Sequence, residues 1–361
     1  MKAKHIHIQE HIELHRDILK EINATLDLDK KKTGRFFLLK FAFYSLFAAG
    51  SYALIYFITD PVIFTLNFIV FGYLTVLMCF NFAHDLSHNA LFKSPSANNF
   101  FFEFFYTLVG AHPEAWKERH ISSHHFAPNV KNFDTDLNIT GLIRLIPGST
   151  HKWYHKYQYI YAPIAYTTYS FYWVFIKDII VLFSNQHSRK AKNSIYHFKF
   201  WFLKSAYILY LFVLPVLFSQ QGFLTVIIAF MVMHLVQSLY TLFTFFITHH
   251  VDGAEYPQAN DEGIINTSWF MNQVKSSNDF YPFSKLANFL FGGVNNHVAH
   301  HLFPHISHEH YPQINVILFR KLKEKNIIPN QTGYFGGIYS HLKLLRRMGQ
   351  DPLPKYPLPS V

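Results

Sequence analysis

Cysteine is almost absent from this chain of 361 residues, since Cys79 is the single example and lies inside an apolar run. One cysteine can form neither an intramolecular disulfide nor a cysteine-based zinc site, so a fold stabilised in either way is excluded. Charged residues make up only 15% of the chain. Neither lysine nor arginine occurs between Lys40 and Lys93, or between Lys204 and Lys275, a pattern that disfavours a soluble single domain.

Apolar and aromatic residues are abundant instead. Half of the chain is hydrophobic and 19% is aromatic, with 40 phenylalanines and 22 tyrosines, a balance suited to bilayer spans and their interfacial belts. A helix that crosses a bilayer needs roughly 20 apolar residues. Four stretches meet this requirement, so transmembrane helices are expected at about 41–59, 61–80, 200–218 and 223–247.

The basic residues indicate how these spans are oriented. The turn after the first span and the turn after the third are short and carry no lysine or arginine, whereas the other connections are rich in both. The positive-inside rule then places both termini and the long connection 83–199 in the cytoplasm. The formal net charge of +10 favours an anionic partner. No nucleic-acid module is recognisable, so an anionic membrane surface is the more natural one. Residues 1–35 are polar and lack the apolar core of a cleaved secretory signal.

A fifth apolar stretch at 159–183 contains Pro163 and the charged pair Lys177 and Asp178. If this stretch crossed the bilayer, the histidines before it and those after residue 291 would face opposite sides of the membrane. They could then not share a site. We therefore expect an interfacial helix near 159–183 rather than a fifth span.

Three histidine-rich motifs lie close to the predicted spans. They are HDLSH at 84–88, HISSHH at 120–125 and HVAHH at 297–301. On an α-helix, His84 shares a face with His88 and His120 with His124, while His125 lies about 100° away and suits a second metal. Eight imidazoles exceed the ligands of one zinc ion, so the sequence predicts a site with two metals. The ligands alone do not identify the metal, because imidazole binds copper, nickel and zinc as well as iron.

The motifs resemble those of the membrane fatty-acid desaturase superfamily, which also contains acyl-chain hydroxylases, ketolases and alkane hydroxylases. Flanking residues such as WKxR before the second motif, NFDTDL at 132–137 and HHLFPHISHEHYPQI at 300–314 resemble the linoleoyl-CoA and front-end acyl desaturase branch. The resemblance covers roughly residues 39–310. It implies two iron ions, O2 as co-substrate, and two electrons from a separate donor, either ferredoxin or cytochrome b5 with its reductase.

The resemblance also supplies a ninth ligand after the fourth span, where His249 is the better match and His250 the alternative. The expected metal ligands are therefore His84, His88, His120, His124, His125, His249, His297, His300 and His301. Further residues are expected to support these ligands or to contact substrate: Asp85, Trp116, Lys117, Arg119, Asp134, Asp136, His250, Asn296, His308 and His310. No nucleophile is predicted.

Two positions depart from the front-end branch, which usually has Gln where this chain has His297 and Glu where it has Ala299. The position of the new double bond is therefore left open. The haem-binding HPGG signature of a fused cytochrome b5 domain is missing, so an external donor is expected. The acyl substrate could be carried by CoA, by an acyl-carrier protein or by a membrane lipid.

The sequence thus predicts an all-α, multi-pass integral membrane protein. Its four transmembrane helices would form two hairpins, with both termini and a helical cap holding the di-metal site in the cytoplasm. The predicted divisions are a lead-in at 1–35, a membrane desaturase domain at 36–310 and a C-terminal tail at 311–361. The predicted activity is fatty-acyl desaturation. The alternatives are an acyl-chain or lipid hydroxylase on the same scaffold and, more distantly, a divalent-metal transporter or sensor.

Overall fold

The computed structural model describes residues 3–137, 141–184 and 192–350. The predicted tail residues 351–361 lie outside this range. Seventeen α-helices occur in the described residues: α1 (Gln9–Thr25), α2 (Lys30–Leu54), α3 (Pro61–Met78), α4 (His84–Ser87), α5 (Pro95–Leu108), α6 (Pro113–Arg119), α7 (Gln158–Tyr166), α8 (Tyr169–Tyr172), α9 (Asp178–Phe183), α10 (Ser194–Ile208), α11 (Leu214–Phe218), α12 (Phe223–His249), α13 (Trp269–Lys275), α14 (Lys285–Phe291), α15 (His297–Leu302), α16 (Tyr311–Glu324) and α17 (Tyr334–Met348).

Shorter elements connect these helices. There are π-helical turns at Cys79–Ala83, His120–His124, Trp173–Lys177 and Leu209–Val213, and 3₁₀ turns at Thr135–Leu137, Trp153–Tyr157 and His308–His310. Four short strands, β1 (Lys4–His5), β2 (Ile264–Ile265), β3 (Asn278–Phe280) and β4 (Asn330–Thr332), form two parallel pairs, β1 with β2 and β3 with β4. The prediction of an all-α chain is therefore correct for most of the chain but misses these strands. They pair segments that are distant in sequence and have no local strand signal.

Four helices in the described part of the chain are long and apolar enough to cross a membrane, as the sequence predicts. They span Lys32–Leu54, Pro61–Ser87, Ser194–Phe218 and Phe223–His249. The second joins α3 and α4 through the π turn, and the third joins α10 and α11 in the same way. The first ends about one turn earlier than predicted. Asp60 starts the second by accepting hydrogen bonds from Val62 N and Ile63 N, with Pro61 as its first residue.

The fifth apolar stretch is divided into α7, α8, the π turn Trp173–Lys177 and α9. Its end is anchored inside the protein, because Asp178 is buried and pairs with Lys204 at 2.7 Å. The same carboxylate accepts a hydrogen bond from His112 N at 2.8 Å. A buried ion pair of this kind fixes the stretch to α10 rather than leaving it free on the surface.

Helices α3 and α12 form the most extensive helix contact. Gly72 allows the close approach, since a Cβ at this position would lie 2.3 Å from Met233 Cγ. The polar side chains of α12 face this interior: Gln237 donates to Gly72 O at 2.8 Å, and His234 Nε2 lies 3.0 Å from Tyr207 Oη. Both are satisfied by neighbouring helices, as polar groups inside a span usually are.

A second apolar core is formed by α1, α13, α15 and α16 and the residues next to them, with Ile18, Phe270, Phe303 and Leu318 among its buried residues. The predicted lead-in therefore contributes α1 to this core. The predicted tail contributes α16 to it, and α17 packs on α12. How the chain divides into domains and which side of a membrane these parts face remain predictions.

A tight turn after α14 positions the polypeptide against the second membrane-length helix. Gly292 ends α14 with φ +59°, and a Cβ there would lie 2.3 Å from the backbone oxygen of Phe80. Phe80 belongs to the π turn that immediately precedes His84. The turn therefore sets the distance between α14 and the first histidine motif.

We expect Gly292→Ala to destabilise the protein, because alanine suffers both the left-handed backbone conformation, which costs about 1–2 kcal/mol, and the clash with Phe80. Thermal unfolding of the detergent-solubilised protein measures this. Gly336→Ala is the control, since Gly336 lies in α17 with no atom within 4 Å of its added Cβ. It should unfold at the native temperature or slightly above. Equal stability of the Gly292 variant and the native protein would contradict the close packing.

Candidate metal centre

The histidines predicted as ligands lie at the ends of two membrane-length helices and in two short segments beside them. His84 begins α4 at the end of the second membrane-length helix, and His249 is the last residue of α12. The second motif forms the π turn His120–His124, and the third forms α15. Helix α15 begins at His297 because Asp279 accepts a hydrogen bond from Val298 N at 2.9 Å. Burial raises the pKa of Asp279 to about 7.

Four of the histidines form a first group: His84, His88, His120 and His300. One ring nitrogen of each lies within 4.8 Å of those of the others. His84 and His88 belong together as predicted, because four residues along an α-helix bring side chains to the same face. The indole ring of Trp116 stacks on His120 at 4.2 Å and closes one side of the group.

The second group consists of His124, His249, His297 and His301, again with nitrogens within 4.8 Å of one another. His124 stays beside His120 as predicted, since the two rings stack with their centres 5.6 Å apart and their ring nitrogens lie within 4.8 Å of each other. The two rings nevertheless belong to different groups of four. His124 faces the second group, while His120 faces the first.

His125 departs from its predicted position beside a second metal. Its Nε2 lies 3.1 Å from His120 Nε2 and 2.9 Å from His300 Nε2, both members of the first group. Its ring also stacks on His301 at 4.4 Å. His125 therefore lies between the two groups, with its Nε2 directed towards the first.

Hydrogen-bond acceptors fix the outer nitrogens of the second group. His124 Nδ1 lies 3.0 Å from Asp134 Oδ2, His249 Nδ1 lies 2.8 Å from Ser276 O, and His301 Nδ1 lies 2.8 Å from Gln273 Oε1. In a neutral ring, an outer nitrogen that donates its proton leaves the inner nitrogen with a bare lone pair. Such partners are the usual support of metal-bound histidines.

The inner nitrogens of the second group face one another closely. His297 Nε2 lies 2.6 Å from His249 Nε2, and His301 Nε2 lies 3.2 Å from both. Lone pairs at these distances repel unless a cation lies among them. In the first group, the Nε2 atoms of His84 and His88 are buried without a hydrogen-bond partner in the described residues. Both groups therefore fit a metal ion bound by neutral imidazole.

Electrostatics favour the neutral form that metal binding requires. Burial, reinforced by neighbouring imidazoles, lowers the pKa of His120, His125 and His300 well below the ordinary histidine value. The same causes lower the pKa of His297 and His301. His124 differs, because the Asp134 carboxylate outweighs the effect of burial and raises its pKa.

Two predicted supporting residues, Asp85 and His308, contact each other. Asp85 is predicted to accept from a ligating histidine, but Asp85 Oδ2 instead accepts from His308 N at 3.0 Å, His308 Nδ1 at 2.9 Å and Ser307 Oγ at 2.8 Å. Successive helical side chains point about 100° apart, so Asp85 faces away from the group that contains His84. It ties the end of the second membrane-length helix to the segment after α15.

The remaining candidates divide into those at the histidine groups and those away from them. Asp134 supports His124, and a carboxylate oxygen of Asp136 lies within 4.8 Å of ring nitrogens of His120 and His124. Four others have partners elsewhere: Lys117 bonds Asn99, His250 bonds Tyr256 Oη, Asn296 bonds Asn288 and Asn315, and His310 pairs with Glu309. His249 rather than His250 therefore faces the second group.

Two cavities meet at the histidine groups. An apolar one of about 60 Å³ includes His84 in its wall, and a polar one of about 90 Å³ includes His120, His124, His249 and His297. The walls of both contain Trp116, Tyr169, Trp173 and Phe245. The histidine groups thus lie where a polar and an apolar space adjoin.

Several residues at the site are absent from the sequence-based prediction. Gln273 and Ser276 hold two of the histidines, and Lys177 lies in the wall of the polar cavity. The sequence signal for Gln273 and Ser276 is a run of mostly polar residues at 272–279, most of which the structure buries. Lys177 has only the weaker signal of a cation inside an apolar stretch.

The structure thus has four membrane-length helices, and two groups of imidazoles lie beside the ends of two of them. These features define a histidine-rich integral membrane protein suited to binding metal. The chain belongs to the fatty acid desaturase family, whose model matches residues 59–333. It is 33% identical over 327 residues to the acyl-lipid (8-3)-desaturase B of Dictyostelium discoideum, covering 85% of this chain and 69% of that protein. The predicted family is confirmed.

Two further relatives have similar names. The chain is 28% identical over 317 residues to an acyl-lipid (8-3)-desaturase of Physcomitrium patens, covering 84% of this chain and 65% of that protein. It is 28% identical over 295 residues to an sn-1 linoleoyl-lipid 6-desaturase of Arthrospira platensis, covering 80% of this chain and 79% of that protein. The chain is therefore a fatty-acyl desaturase, an oxidoreductase of lipid metabolism.

We expect Asp134→Asn to weaken metal binding by about 10–100-fold, because it removes the charged acceptor that orients His124. Metal content after dialysis against graded chelator measures the change. Asp261→Asn, at an exposed position, is the matched control and should retain metal like the native chain. Native retention in the Asp134 variant would show that His124 needs no carboxylate.

Proposed function

We propose that this desaturase acts on acyl chains of membrane lipids, using O2 and two electrons from an external donor, at two iron ions held by the two histidine groups. The observation that carries this proposal is the arrangement of eight imidazoles, seven of them buried, in two adjacent sets of four beside an apolar cavity. Four nitrogen ligands per set suit two ions better than one.

In this proposal, His84, His88, His120 and His300 hold one ion, with His125 beside them, and His124, His249, His297 and His301 hold the other. Bound iron would supply the O2 chemistry needed to remove hydrogen from an unactivated methylene, which has no acidity for acid–base catalysis. The chain supplies orientation through Asp134, Gln273 and Ser276, whose acceptors fix the imidazoles of the second group.

The apolar cavity would receive the acyl chain. Its wall includes His84 and the aromatic rings of Trp116, Tyr169, Trp173 and Phe245, so the chain would pass the first histidine group in an environment without water. The cavity is narrow, and binding therefore requires side chains in its wall to move. A membrane lipid as acyl carrier is supported by the relatives, which are named as acyl-lipid desaturases.

We further propose that the membrane-length helices form two hairpins and that the histidine groups lie on the cytoplasmic side. The short connections at 55–60 and 219–222 carry no lysine or arginine, while α2 contacts α3 and α11 contacts α12. The stretch 159–183 would then lie at the interface. Ferredoxin, or cytochrome b5 with its reductase, would deliver electrons from the cytoplasm.

Expression in a host with few lipid species should yield a fatty acid lighter by two hydrogen atoms, and His301→Ala should abolish it, because His301 Nε2 faces two ligands of the same group. Mass spectrometry of hydrolysed lipids measures the product. His7→Ala, at an exposed position, is the control and should match the native chain.

A product heavier by one oxygen atom would instead establish hydroxylation. Unchanged lipids with native protein in the membrane would refute lipid oxidation altogether.

Metal analysis tests the paired site directly. Purified protein loaded anaerobically with Fe(II) should hold about two iron ions per chain, one for each group. His84→Ala and His297→Ala, which change different groups, should each lower the iron content, and the double variant should lower it further. Binding of a single zinc ion in preference to iron would contradict the proposal.

A further inference from the structure

The wall of the polar cavity contains charged groups, two of which, Arg119 and Lys177, metal binding does not use. Two cations, Arg119 and Lys177, and two carboxylates, Asp134 and Asp136, lie in its wall beside the histidines. Asp134 is engaged with His124 and Asn129 N. Arg119 and Lys177 come from segments that are far apart in sequence, so the fold alone brings them to this cavity.

Arg119 is buried but forms fewer hydrogen bonds than its N–H groups allow. It is 6% exposed, and its Nε donates to Ala115 O at 3.4 Å within its own helix. Its terminal guanidinium nitrogens form no hydrogen bond within residues 3–137, 141–184 and 192–350. A buried guanidinium with free N–H groups facing a cavity is suited to binding an oxygen of a ligand.

Lys177 reaches the same cavity from the π turn Trp173–Lys177. Its ammonium lies 5.9 Å from the centre of the Tyr169 ring and has no hydrogen bond or ion pair in the part of the chain that the structure describes. Burial lowers its pKa to about 8, so most of it remains protonated at neutral pH. It is a second free donor in the wall.

The charge balance decides what kind of oxygen these donors suit. Two carboxylates offset the two cations, and Asp136 is close enough to interact electrostatically with both Arg119 and Lys177. A second anion would gain little in such surroundings. A neutral carbonyl oxygen accepts hydrogen bonds without adding charge, so the site suits an ester better than a free carboxylate or a phosphate.

We propose that Arg119 and Lys177 bind the ester carbonyl of the acyl substrate and that the new double bond is consequently introduced close to the carboxyl end. This inference rests on the proposed desaturation of a lipid acyl chain. The polar cavity holds the ester, and the apolar cavity holds the methyl end. The histidine groups border both spaces, so the carbons that reach them lie only a few bonds from the ester.

The arrangement also addresses the open question raised by His297. That residue faces the second group through Nε2, 2.6 Å from His249 Nε2, and lies in the wall of the polar cavity. Histidine in place of the glutamine usual in the front-end branch therefore changes a group beside the metal. The cations that would bind the ester are unaffected, so carboxyl-end selectivity does not depend on that position.

The test is the position of the new double bond. The native chain and the variants Arg119→Gln, Arg119→Lys and Lys177→Gln are expressed in a host supplied with linoleate, and mass spectrometry of derivatised fatty acids locates the bond. The native product should carry it between the existing double bonds and the carboxyl end. Each glutamine variant should form about tenfold less of this product and place the double bond at several positions. Arg119→Lys should retain part of the native selectivity.

Lys93→Gln, at an exposed position, is the control and should match the native chain. Iron content and thermal unfolding are measured for every variant. A native product with the bond on the methyl side would overturn the inference while leaving desaturation intact. Glutamine variants with native amounts and positions of product would also overturn it, as would variants that unfold or lose iron. No product from the native chain would instead refute the proposed function.

Discussion

Eight imidazoles in this protein direct ring nitrogens at one another in two adjacent groups, and much of the surrounding structure holds them in that arrangement. Neutral rings that face one another through bare nitrogens are unstable unless a cation joins them. The neighbouring peptide and side-chain oxygens fix which nitrogen faces inward. Asp134, Gln273 and Ser276 each do this for one histidine of the second group. The arrangement of the imidazoles therefore depends on the packing of residues that carry no chemistry themselves.

The long apolar helices bring the groups together. Helices α3 and α12 pack closely at Gly72, and each leads to histidines at the same end of the helix pair, His84 on one side and His249 on the other. The turn at Gly292 fits against Phe80, directly before the first histidine motif. Asp85 then ties that motif to Ser307 and His308, beyond the third motif. Each contact joins segments far apart in sequence, so local changes at these points reach the histidine groups.

The two cavities give the site a polar and an apolar side. Trp116 lies in the wall of both and stacks on His120, so one indole ring contacts a predicted ligand and both spaces. A fatty-acyl desaturase must hold a flexible chain whose methylenes are nearly identical, and only its ends differ chemically. Under the proposed binding of the ester, the free donors of the polar cavity would give such a chain a fixed reference point.

The sequence by itself determined the family, the four membrane-length helices and the histidines gathered in this site. These features have local signals: apolar runs of sufficient length, and motifs whose spacing and flanking residues are specific. It did not determine which histidine faces which group, because His120 and His124 lie side by side but contact histidines that come from different distant segments. It also assigned Asp85 to a ligand and missed Gln273, Ser276 and Lys177. The partners of Asp85, Gln273 and Ser276 lie tens or hundreds of residues away, so only tertiary packing decided these contacts.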